Sequence, residues 1–152
     1  MSNCWRYKKK SICSIKDIPK EFQENDEIQI IYKITCKVNN IYYLGRKIMF
    51  HTKKTKLSKK KKLELGTRKV FEYKKVDSDW LNYYGSCKNE DWLNYMDVLG
   101  LDKFDREILM FVEGKTKAAY YEAKILFSDE GMMHPKCVNG NILNKFFKSR
   151  LK

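Results

Sequence analysis

A small α/β domain, with a short antiparallel or mixed three-stranded sheet flanked by helices, is predicted by three features of the sequence. Ile28 to Lys47 carries two β-rich runs around Asn39-Asn40. Phe104 to Val112 begins with alternation and ends in an apolar run. Two later stretches, Asn89 to Leu99 and Thr116 to Phe127, repeat apolar residues at helical spacing. With 152 residues, 43% of them hydrophobic and 14% aromatic, the chain can bury a real core, so one domain is expected and a disordered segment is not.

In chain order, residues 1–27 read as a polar, basic N-terminal extension, in which Lys8-Lys9-Lys10 precedes a short apolar patch and Pro19 disfavours helix at Ile18, giving an extended lead-in. The domain proper is placed at 28–142. A two-residue turn at Asn39-Asn40, a pair that tolerates positive φ, would set Val38 opposite Ile41, Cys36 opposite Tyr43, Ile34 opposite Gly45 and Tyr32 opposite Lys47. Side chains alternate between faces, so Ile28, Ile30, Tyr32, Ile34, Cys36, Tyr43 and Lys47 are expected on one face. The lysines between Met49 and Lys62 repel one another and read as a mobile basic loop. A short strand within Leu65 to Val76 and an aromatic turn at Asp79 to Ser86 follow. The next helix stops at Gly100, and Glu113-Gly114 closes the third strand.

Thr116 is a candidate N-cap for the last long helix, whose Ala118, Tyr121, Ile125 and Leu126 share a face with Glu122. A carboxylate turned inward costs several kcal/mol unless a partner meets it. That partner is either a basic side chain or a metal ion. A loop with His134-Pro135 and Asn139-Gly140-Asn141 then leads to a basic tail, residues 143–152, with Phe146, Phe147 and a helical turn or two.

The chain holds 32 Lys and Arg against 19 Asp and Glu, a formal charge of +13, and such a field attracts polyanions, nucleic acid above all. A merely solvated lysine-rich surface is the alternative. Five cysteines (Cys4, Cys13, Cys36, Cys87, Cys137) without a C-x-x-C pair argue against a zinc ribbon and against a disulfide framework, leaving a reducing compartment. With His51 and His134 the only histidines, cysteine catalysis has no support. No run has the length of a membrane span and no signal-peptide core is seen, so an intracellular protein is expected.

Several motifs in a fixed order carry a resemblance. Ile30-Ile31-Tyr32 and Tyr43-Leu44-Gly45 flank a short Asn-bearing turn, and Tyr83-Tyr84-Gly85-Ser86 follows. Then come Gly100-x3-Phe104-x-Arg106-Glu107-Ile108-Leu109, Tyr121-Glu122-Ala123-Lys124-Ile125-Leu126 and a late Asn139. Over about residues 28–142 this order resembles the phage-type, Seg-like branch of the GIY-YIG endonucleases, relatives of homing-endonuclease catalytic domains. Ile30 replaces the first family glycine and Leu44 the central isoleucine of the second motif.

The resemblance implies a metal-dependent DNA endonuclease or nickase that hydrolyses phosphodiester bonds. Its site would hold Tyr32 and Tyr43, a basic residue among Arg46, Lys47 and Arg68, the metal-binding Glu122, and Asn139, with Asn141 as an alternative register. Lys47 is favoured by the expected hairpin register, and Arg68 because a guanidinium can clamp a phosphate. The implied cofactor is Mg²⁺ or Mn²⁺, a Lewis acid for the leaving oxygen, and a nearby cation would raise the acidity of a tyrosine that orients or deprotonates water. DNA is the implied partner, no membrane is involved, and a phage-encoded protein would work in its host's bacterial cytoplasm. With ten residues after Ile142, a homodimer or modest sequence specificity is expected. Two alternatives stand beside this: a catalytically inactive basic nucleic-acid-binding module on the same scaffold, stacking bases on Trp80, Tyr83 and Trp92, and a basic protein that docks on an acidic protein partner.

Overall fold

In a computed structural model of the chain, which describes residues 3–152, the elements run as follows. They are β1 (Trp5–Tyr7), β2 (Lys10–Ile12), α1 (Lys20–Gln23), β3 (Ile28–Cys36), β4 (Tyr42–Ile48), β5 (Phe50–Lys56), α2 (Lys59–Leu65), β6 (Phe71–Asp77), α3 (Glu90–Leu99), β7 (Phe104–Glu113), α4 (Lys115–Phe127), β8 (Asn141–Ile142), β9 (Phe146–Phe147) and α5 (Lys148–Leu151). The main sheet has the order β2-β1-β7-β3-β4, while β5 pairs only with β6 and β8 only with β9.

The three expected strands are β3, β4 and β7, all antiparallel, with β3 between the other two. The sheet is nonetheless five-stranded. The two additional strands come from the segment expected to be a polar extension, of which residues 1 and 2 lie outside the described residues. Lys8 and Lys9, at φ 47° and 70°, make a tight turn that folds β1 against β2. β1 then lies parallel to β7, with Arg6 beside Glu107 and ion-paired to Asp105. The same hairpin brings Cys4 and Cys13 to a Cα separation of 5.0 Å and joins them as a disulfide, correcting the expectation drawn from scattered cysteines. Cys36, Cys87 and Cys137 remain thiols.

One face of the sheet carries the main core, where Trp5, Tyr32, Phe104 and the β3 isoleucines Ile28, Ile30 and Ile34 pack with Trp80 and Trp92. The other face takes α4, whose Ala118 meets Ile31 and Val112 while Leu126 meets Leu44. β3 is covered on both sides, which is why its sequence is nearly continuous in apolar residues. α3 starts as expected, with the Trp92 N–H donating to Asn89 Oδ1 at 3.0 Å, and ends at Gly100. The N-cap of α4 falls two residues earlier than expected. Gly114, at φ 88°, is its N-cap, and Thr116 therefore lies inside the first turn.

The basic stretch is an ordered arm and not a mobile loop. β5 and β6 form an antiparallel ribbon, Phe50 opposite Asp77 through Lys56 opposite Phe71, with α2 at its far end. Three local features let a like-charged segment order itself. Thr52 and Thr55 favour strand, Ser58 caps α2 by accepting from the Lys61 N–H at 3.2 Å, and Glu72 pairs with Lys61 at 2.7 Å. No helix of the described residues is long and apolar enough to cross a membrane.

Trp5 is fully buried, stacks edge-on against Tyr32 with centroids 5.5 Å apart, and donates from Nε1 to the Trp80 carbonyl at 2.7 Å. Trp5→Ala is expected to lower unfolding stability by about 3–5 kcal/mol, measured by urea denaturation. A loss under about 1 kcal/mol would show that the N-terminal hairpin is dispensable to the core.

Candidate active site

The hairpin places its phenols through a register that differs from expectation by two residues. Tyr32 lies opposite Gly45, Ile34 opposite Tyr43 and Ile30 opposite Lys47. The connection is a four-residue loop, Lys37 to Asn40. It closes as the Cys36 N–H donates to the Ile41 carbonyl and the Asn40 N–H to the Cys36 carbonyl, both at 2.9 Å, with Asn40 at φ 62°. A shift of two preserves every face, so Tyr32, Tyr43 and Lys47 do share one side.

Gly45 is what lets Tyr32 lie down. A Cβ built there would stand 2.5 Å from the Tyr32 hydroxyl oxygen and 2.7 Å from Cζ, so the ring crosses the strand where a side chain is missing. Tyr32 is buried, with its ring 6.2 Å from that of Tyr43 and 5.9 Å from that of Tyr83, whose hydroxyl it meets in a hydrogen bond. Burial pushes the Tyr32 phenol far above the ordinary range, with Tyr43, Tyr83 and Glu122 adding to the push. Tyr43 is also raised, by burial first, against a hydrogen bond with Ser86 that lowers it. In the protein without a metal ion desolvation dominates, and both hydroxyls are neutral around pH 7.

Tyr43 alone of the two faces an open hollow, of about 470 Å³, whose walls include Ser86, Lys88, Asn89, Asn139 and Asn141. A second hollow, of 770 Å³, lies on the arm among Leu57, Leu65, Val70 and Phe71, away from the phenols.

Glu122 meets Arg46 from the other face of β4, Nε to Oε2 at 2.8 Å. Burial raises the Glu122 carboxyl above its usual range, and Arg46 only partly offsets this. Arg46 also donates to Gln29 Oε1 at 3.5 Å and to the Lys115 carbonyl at 3.4 Å. Arg46 and Lys47 point to opposite faces of one edge strand. Lys47 is held by Asp79 Oδ1 at 2.6 Å, with its ammonium 4.1 Å from the Tyr83 ring centroid. Arg68 is not brought to the site. It lies exposed at the far end of the arm, about 20 Å along the ribbon by strand rise.

Asn139 is buried against the backbone of β4. Its Oδ1 accepts from the Leu44 N–H at 2.9 Å and its Nδ2 donates to the Leu44 carbonyl at 2.7 Å. Just before it, the Tyr42 N–H donates to the Lys136 carbonyl and the Val138 N–H to the Tyr42 carbonyl. The side-chain amide therefore continues a short parallel ladder that seals the edge of β4 between Tyr43 and Gly45. Asn141 instead accepts from the Asn144 N–H at 3.1 Å in the β8–β9 turn, although it also lines the Tyr43 hollow.

Among the described residues no three His, Cys, Asp or Glu side chains gather. Glu122 is the one carboxylate whose charge is felt at both phenols. Trp80 and Trp92 are buried and cannot serve as base-stacking platforms, which removes that part of the binding-module reading. Tyr83, Asp79 and Ser86, none of them among the expected site residues, contact Tyr32, Lys47 and Tyr43 respectively. The Tyr83-Tyr84-Gly85-Ser86 motif was the signal available for two of them.

Gly45→Ala is expected to force Tyr32 off the strand and to cost about 2–4 kcal/mol by overpacking, measured by denaturation. A neutral result would mean the ring has room elsewhere. Tyr32 also predicts an alkaline limb. Its folded pKa lies above the unfolded value near 10, so stability is complete below about pH 10 and falls above it, as the unfolded chain ionises first. Tyr32→Phe should flatten that limb between about pH 9 and pH 11; an unchanged slope would count against a buried neutral phenol.

Residues 5–146 match the family model described as "Putative endonuclease segE, GIY-YIG domain". No curated protein and no solved structure matches the chain.

Proposed function

Since the chain belongs to the GIY-YIG endonuclease family, with a match over nearly its whole length, we propose that it is a divalent-metal-dependent DNA endonuclease or nickase working at the edge of β4. One observation carries the reading. A single strand sends Tyr43 and Lys47 to one face and Arg46 to the other, and Arg46 holds Glu122, the charge felt at both phenols.

Glu122 is the residue that would hold Mg²⁺ or Mn²⁺. A single carboxylate suits a hard ion that keeps most of its ligands as water and phosphate oxygen. Bound there, the ion supplies Lewis-acid stabilisation of the leaving oxygen.

The chain's own residues do the rest. In hydrolysis the water oxygen bonds to phosphorus as the ester bond breaks, and one water proton ends on the leaving oxygen. Tyr43, neutral and open to the hollow, orients that water by hydrogen bonding. Arg46 leaves Glu122 and takes two phosphate oxygens with its planar guanidinium. Lys47, fixed by Asp79, contributes positive potential. Tyr32 and Asn139 act as positioning residues, the first packed under the strand and the second holding its outer edge. One copy makes a nick; a homodimer would bring two such sites to opposite strands. The proposed setting is the interior of a cell.

The test is relaxation of supercoiled plasmid with Mg²⁺, with and without chelator. Wild type should nick or linearise it, and Glu122→Gln or Tyr43→Phe should slow this by at least about 10²-fold. If wild type leaves plasmid intact in Mg²⁺ and Mn²⁺ at all salt concentrations, or if Glu122→Gln cuts normally, the catalytic reading fails and the inactive binding module takes its place.

A further inference from the structure

The arm is not used by the chemistry above, yet it concentrates the protein's charge. Between residues 50 and 77 there are eleven lysines and arginines against three acids. One of those acids, Glu72, is already held by Lys61 at 2.7 Å and approached by Lys74 at 4.0 Å.

The two faces of the ribbon differ. One carries Thr55, Glu72 and Lys74, and α2 is tied to it through Lys61. The other carries Thr52, Lys54 and Lys56 with Phe71 and Tyr73, and it is exposed. Tyr73 is 64% accessible, far more than a ring with a packing role would be. Lys54 stands 3.9 Å from the Phe71 ring centroid, a contact that fixes the ammonium without neutralising it.

The root of the arm is rigid and adjoins the site. β5 begins two residues after β4 ends, Met49 and Phe50 are buried in the core, and Ser78 closes the root with its hydroxyl on the Ile48 carbonyl at 2.6 Å. Phosphate bound beside Arg46 is therefore only a few residues from the start of the ribbon.

We propose that the β5–α2–β6 arm is a duplex-DNA clamp that lays its ribbon in the major groove, with the face of Thr52, Lys54, Lys56, Phe71 and Tyr73 against the DNA. The proposal rests on the endonuclease reading for what is bound. The geometry selects this occupant. A two-stranded ribbon fits a B-form major groove about 12 Å wide, and strands of seven residues span about 20 Å. The A-form major groove of RNA is too deep and narrow to admit it. Of the two exposed rings on this face Phe71 is covered by Lys54, which leaves Tyr73 alone, short of the run of platforms on which successive bases of a single strand stack.

The experiment uses the full chain in a Glu122→Gln background, which prevents cutting, and follows binding of a fluorescent duplex of about two helical turns by anisotropy from about 50 to 300 mM salt. The double substitution Lys54→Gln/Lys56→Gln should weaken binding at least tenfold and lower the slope of log K against log salt by about 1.8. A charge-matched control, Lys16→Gln/Lys20→Gln, should leave the slope unchanged. Tyr73→Ala should weaken binding without altering the slope. Methyl green, a major-groove ligand, should compete, and netropsin, which occupies the minor groove, should not.

An arm variant with the control's slope, competition by netropsin alone, or equal affinity for single-stranded DNA or double-stranded RNA overturns the proposal. The two readings fail separately. A wild type that never cuts, with arm-dependent binding intact, removes the nuclease and keeps the clamp. Cutting with an unaltered salt slope keeps the nuclease and removes the clamp.

Discussion

Everything at the site depends on β4 being the edge of its sheet. Alternation along a strand always divides its side chains between two faces, and in a central strand those faces would never meet. At an edge both faces border the same open rim, Tyr43 on one side of β4 and Arg46, paired with Glu122, on the other. An open edge also exposes backbone donors and acceptors that invite unwanted pairing. Here residues 136–139 cover it, ending in the Asn139 amide, so the rim is closed by a loop and a side chain and leaves space for a ligand.

A second constraint stands behind the first. Arg106 is buried on β7, with its guanidinium between the rings of Trp5 and Tyr84 and donating to the carbonyls of Leu81, Tyr83 and Asn3. No carboxylate balances it in these contacts. Burial lowers its pKa, and Arg106 Nε is without a hydrogen-bond partner. Such a cation is costly unless its remaining donors are satisfied. What it achieves is to tie the N-terminal strand and the Tyr83 loop to one point under the phenols, fixing the aromatic cluster that keeps Tyr32 dry.

Much of this was legible in the residues. The 3.6-residue repeat put Glu122 on the inward face of α4, and strand alternation put both tyrosines on one face even though the loop was longer than two residues. What was not legible has physical reasons. β1 and β2 are three residues each, too short for any period to show, and β7, the strand that β1 joins, lies about a hundred residues away in sequence. The arm looked mobile because like charges dominate local reasoning, while its order comes from cross-strand pairing and one carboxylate, Glu72. The burial of the phenols was not legible, because it comes from packing with Trp5, Tyr83 and Trp92, rings far from them in sequence. Asn139 was expected as part of the chemistry, and its bonds to Leu44 join residues 95 apart.

The parallel pairing of β1 with β7 has a consequence for biogenesis. A ribosome delivers Trp5–Tyr7 long before it delivers Phe104–Glu113, the strand against which it pairs. Until then the nascent N-terminus has no platform, and a large indole stays in water, where it can adhere to other chains. The last part of the sheet to be translated is the one that lets the first part fold.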